Sequence, residues 1–137
     1  MRSWPLWILV IAIVSGPWFG VVRDPQWERV TWVPFLGFED KPTDVLQNFL
    51  LFIPFGWSFV KSRRGLPGIA AAAAAAVAVS IAVEIPQLFY RLRDPSATDV
   101  FVAMCGSAFG SFASHAFYGR DSGGAPGRRQ TGARGRG

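Results

Sequence analysis

The chain has 137 residues, 50% hydrophobic and 17% charged, with a formal net charge of +5. One Cys and one His exclude a disulfide framework and a Cys/His metal cluster. The apolar residues are gathered in long blocks, which argues against an ordinary soluble domain and points to a membrane protein.

Residues 4–22, 45–60, 65–83 and 100–118 contain no Asp, Glu, Lys or Arg. Each block approaches or reaches the roughly 20 residues a helix needs to cross the hydrocarbon core. They predict an all-α polytopic protein with four transmembrane helices in one bundle, at about 4–22, 44–60, 66–90 and 99–118, within a membrane domain covering 1–118. The first block reads as an uncleaved span, because Trp18 and Phe19 stand where a signal-peptide cleavage site needs small residues. Trp4, Trp7 and Trp18 near its ends suit the interfacial aromatic belt. Residues 23–43 have no clear period and predict a polar connection on the membrane surface.

The second block opens with Thr43 or Asp44 as a helix cap, with Gln47 three residues after Asp44. Asp44 is equally a candidate for a polar site, since an acid is also favoured near a helix N-terminus. Asn48, one turn deeper, has four hydrogen-bonding positions to satisfy in a place with little water, so it needs a protein or ligand partner. Pro54 frees the carbonyl of Leu50 and predicts a kink. After the basic turn KSRRG, the unbroken run Ala70–Ala76 predicts a helix of small radius that packs centrally.

The stretch SIAVEIPQLFYRLRDPSATD, residues 80–99, concentrates the polar chemistry. A carboxylate in an apolar span costs about 2.5–3.5 kcal/mol even on lenient insertion scales, so Glu84 requires compensation. Ser80, Glu84, Gln87 and Arg91 share one helix face at offsets of four, seven and eleven residues. A polar stripe on an apolar helix faces other helices or a wet cavity, which marks a site. Pro86 frees the carbonyl of Ala82 beside it. Ser96 and Asp99 have the S-x-x-D form of a capping box for the fourth helix. Gly106 and Gly110 follow in G-x-x-x-G spacing among small residues, a helix-packing face. His115 falls near the opposite end from Glu84. Residues 119–137, rich in Gly and Arg, predict a disordered basic tail held near anionic lipid.

A cytoplasmic N-terminus places nine basic residues and Asp121 alone on the inner side, against five basic and eight acidic on the other. The positive-inside rule therefore puts both termini in the cytoplasm. The net positive charge then describes a cytoplasmic fringe, and no motif points to nucleic acid. Asp44, Asn48, Glu84, Gln87, Arg91, Arg93 and Asp99 converge at the outer-leaflet end as a ligand-binding set.

NFLLFIPFG from Asn48 to Gly56 resembles the N-x5-P-x-G signature of the VanZ-like membrane family. Glu84-x2-Gln87-x5-Arg93-x5-Asp99, followed by Gly106 and Gly110, is similar to its second half; Ala103 stands where the family pattern has Asn. The resemblance implies a small multi-helix bacterial membrane protein, some of whose relatives are linked to glycopeptide (teicoplanin) resistance. Recognition of a lipid headgroup or cell-wall-related molecule is the leading expectation, with Arg93 pairing an anionic group, Glu84 and Asp99 holding Arg93 or a substrate proton, and Asn48 and Gln87 orienting the ligand. One alternative makes the cluster an interhelical clamp acting with a protein partner, and another is an enzyme using Glu84 as acid or base. Nothing in the sequence calls for a cofactor or metal, and membrane lipids are the expected partners.

Overall fold

In the computed structural model, residues 3–16, 20–36, 41–60, 65–90 and 94–121 are described. The apolar blocks become four α-helices: α1 Trp4–Ser15, α2 Pro42–Val60, α3 Leu66–Gln87 and α4 Ala97–Asp121. A 3₁₀ turn at Trp27–Arg29 interrupts the connection between α1 and α2, and no strand occurs among the described residues.

Proline chemistry sets several boundaries. Pro5 and Pro67 sit in the first turns of α1 and α3, and Pro42 opens α2, where a missing N–H costs nothing because those donors have no helical partner. α2 therefore starts before Thr43, and Asp44 lies in its first turn and does not cap it. At the other end of α1, Gly16 is extended at φ −77°, ψ 121°. The following Pro17 disfavours helical geometry at that residue. α1 thus has 12 residues, not the 19 expected. That is about 18 Å of helix, short of the roughly 30 Å hydrocarbon core. Among the described residues, two helices are long and apolar enough to cross a membrane, Leu66–Gln87 and Ala97–Tyr118.

Their outer surfaces favour lipid as the surrounding medium. Only 22% of the apolar window of α3 is buried inside the protein. Ile81 and Ile85 on α3, Phe109, Phe112 and Phe117 on α4, and Leu6, Leu9 and Ile13 on α1 are all exposed. A water-soluble helix of this apolarity would bury most of itself, because large contiguous apolar patches are rare on soluble monomers.

Inside the bundle, α2 and α4 form the closest pair. A Cβ added to Gly56 would lie 2.0 Å from the carbonyl oxygen of Ser107, and one on Gly110 would lie 2.0 Å from that of Ile53. Gly106 faces the carbonyl of Phe49 in the same way. Ser111 Oγ donates to Gly56 O at 3.0 Å, and Ser107 Oγ donates to Ala72 O at 3.0 Å on α3. The tightest packing therefore joins α2 and α4, while α3, the alanine helix, contacts all three of the others. α3 contributes one buried stripe, Gly68, Ala72, Ala76 and Ser80, and turns Ala74 and Ala78 outward. The α2–α4 approach is the closest because alanine still carries a Cβ, whereas the glycines of α2 and α4 let two backbones touch. Ile11, Phe52, Phe55, Ala76 and Ala103 fill the core between the helices. Ala103, at the position of the family's Asn, is fully buried there.

The turn at 61–64, Arg91, Arg93 and the tail beyond Asp121 lie outside the described residues.

Candidate functional site

Ser15 near the end of α1, Asn48 near the start of α2, Glu84 and Gln87 at the end of α3 and Asp99 at the start of α4 all line one cavity. The four helices therefore run up and down, and the polar cavity lies at one end of the bundle. Ser80 completes its polar lining, and Ile11, Phe52 and Val83 form the apolar wall. About 10 Å³ is open there to the centre of a water-sized sphere.

Glu84 Oε2 accepts from the Ser96 N–H at 3.2 Å. In a self-contained capping box that donor belongs to the third residue of the helix, here Asp99. Ser96 keeps the other half of the motif, its Oγ accepting from Thr98 N–H at 3.1 Å. A side chain of α3 thus takes part in starting α4. Gln87 donates from Nε2 to Ser15 O at 3.1 Å and so joins α3 to α1. Its Oε1 is buried without a hydrogen-bond partner.

The expected surface connection is built over this end of the bundle. Val22 N–H donates to Phe89 O at 2.8 Å and Gln26 N–H to Leu88 O at 3.0 Å. Thr31 N–H donates to Pro95 O at 3.0 Å and receives the Ala97 N–H at 2.9 Å, forming a short parallel bridge with Ser96. Phe35, at φ 63°, is held by its N–H to Thr98 Oγ1 at 3.0 Å and by edge contact with Phe101. Arg29 pairs with Asp94 at 2.5 Å and reaches Gln26 Oε1 at 2.5 Å. That pair is about one-third exposed, so it contributes about 1 kcal/mol or less.

Of the residues singled out from sequence, Asn48, Glu84, Gln87 and Asp99 come together in the cavity. Asp44 is half-buried in the first turn of α2 and is not part of the lining. Arg91 and Arg93 lie outside the described residues. His115 is exposed on α4, 16 residues beyond Asp99, about 24 Å along the helix. Among the described residues no group of three His, Cys, Asp or Glu side chains could hold a metal. Sequence reasoning missed Ser15, Arg29 and Thr31. A hydroxyl in the otherwise apolar α1 was a signal for Ser15; the other two act through pairing that only the folded loop brings about.

No curated protein and no solved structure matches the chain significantly. The VanZ/LLP1 family matches residues 6–118, a range that takes in nearly all of the four helices and every residue of the cavity, and this protein belongs to that family.

Proposed function

We propose that this protein spans the bacterial inner membrane four times, with both termini inside, and that its polar end recognises a lipid headgroup or cell-wall-related molecule at the outer leaflet, contributing to glycopeptide resistance. The observation that carries the reading is the meeting of Asn48, Glu84, Gln87 and Asp99 from three helices in one buried polar cavity. Polar and ionisable groups in a membrane bundle are costly, and their convergence marks functional sites. The cavity accepts a single small group. A headgroup needs a larger space, and the loop bonded to Leu88 and Phe89 carries a depression of about 690 Å³ lined by Val21–Arg29, including Arg23, Trp27 and Arg29. That volume lies within the usual range of small-molecule sites, about 300–1,000 Å³. Arg93 would add a bidentate partner for phosphate.

Topology is checked in intact cells carrying Cys105→Ala. A cysteine placed at the exposed Glu28 should react with an impermeant thiol reagent, and one at Gly124 should not. The reverse pattern would move the polar end to the cytoplasmic leaflet.

Purified protein in detergent should retain envelope lipid, seen by native mass spectrometry, and Arg93→Gln should reduce that retention severalfold while leaving the lipid chemically unchanged. Turnover of a supplied lipid that disappears in Glu84→Gln would establish an enzyme instead. The Glu84 bond to Ser96 favours a second reading, a clamp between α3 and α4; absence of specific lipid in the wild type would support it.

A further inference from the structure

We propose that the cavity enclosed by the four helices binds a small monovalent cation, an alkali ion or an ammonium group. The inference rests on the reading of this cluster as a site, but not on a lipid as its ligand.

Gln87 is the starting point. It is 2% exposed, and its amide is oriented by donation to Ser15 O, which leaves Oε1 buried and unpartnered beside the cavity. A buried acceptor without a partner is strongly unfavourable, so the free volume next to it calls for a donor or a cation. The volume, about 10 Å³, matches the roughly 10–15 Å³ needed by one water-sized occupant. A polyatomic anion is too large, and the two carboxylates in the wall oppose any anion.

The wall chemistry selects the sign of the charge. Ser15, Asn48, Ser80, Glu84, Gln87 and Asp99 bring oxygen atoms from all four helices. Oxygen-rich lining is what hard cations require. α1 and α3 both end at the cavity, and the partial negative charge of helix C-termini favours cations. Asp99, in the first turn of α4, offsets the opposite polarity of that helix end.

The test measures thermal unfolding of the purified full-length protein in KCl, NaCl or NH₄Cl, each against choline chloride at equal ionic strength. Tm should rise saturably with at least one small cation. The half-saturating concentration should increase about tenfold in Gln87→Met, which loses the free acceptor. That variant also loses the bond to Ser15, so Ser80→Ala supplies a second, near-isosteric change in the wall, expected to weaken the response severalfold. Equal melting in small cations and choline would overturn the proposal and leave bound water as the occupant. A saturable rise unchanged in both variants would also overturn it, by placing the cation elsewhere. Cation dependence without retained lipid supports the cation site and removes the headgroup reading; retained lipid without cation dependence does the reverse.

Discussion

Gly110→Ala is expected to lower stability by about 3 kcal/mol or more, among the largest effects of any single methyl group in this protein. The added Cβ would stand 2.0 Å from the carbonyl oxygen of Ile53, and 2.8 Å from its carbonyl carbon. Both are backbone atoms of a neighbouring helix and cannot rotate away, so α2 and α4 must separate. Separation would stretch the Ser111 Oγ bond to Gly56 O, now 3.0 Å, and loosen the rings of Phe49 and Phe109, whose centroids lie 6.0 Å apart. Gly56→Ala meets the carbonyl of Ser107 at the same 2.0 Å and should behave alike. Ala74→Val, on the exposed side of α3, is the control and should change stability by less than about 0.5 kcal/mol. Membrane abundance and the midpoint of thermal unfolding in detergent check this; a Gly110→Ala protein as stable as the control would mean that the α2–α4 contact is looser than described.

The second large effect separates function from scaffolding at Glu84. Glu84→Gln keeps an oxygen in position to accept from Ser96 N–H, so the start of α4 should survive and abundance should stay within about twofold of wild type. Resistance to glycopeptides should nevertheless fall to the level of cells lacking the protein. Glu84→Leu removes the acceptor as well. It leaves one bond fewer to a backbone donor at the buried start of α4, at a cost of about 1–3 kcal/mol, and abundance should fall with activity. If the cluster is only a clamp, Glu84→Gln will preserve resistance wherever it preserves the protein. Parallel loss of abundance and resistance in Glu84→Gln would likewise favour the clamp, because an ionised side chain would then be needed to hold the fold. Asn48→Ala provides an independent comparison on α2.

Much of this was legible in the residues because helical periodicity is local. Ser80, Glu84 and Gln87 share a face at 3.6 residues per turn whatever surrounds them, and all three line the cavity. The G-x-x-x-G spacing of Gly106 and Gly110 likewise places both on one side of α4, where the backbone of α2 meets them. The Ser96 cap on α4 follows from side-chain chemistry within two residues. The polar loop was less legible. Residues 20–36 show no period, since they are held by backbone bonds to 88–97 and by the Arg29–Asp94 pair, partners that are distant in sequence.

The sequence by itself determined the helical class, the apolar blocks, the polar face of α3 and the membership that its spaced Asn, Pro, Gly, Glu, Gln and Asp residues announce, because each depends on spacing along one chain segment. Only the tertiary structure decided that the tightest packing joins α2 and α4, that α1 stops at Ser15, and that Ser15 joins the cavity while Asp44 does not. Those outcomes depend on how closely two backbones approach and on how each helix is rotated about its axis. Close approach requires glycine facing a bare stretch of a second helix, and the rotation of α1 and α2 is set by Ile11, Phe52 and Phe55 meeting in the core. Neither is a property of any one segment.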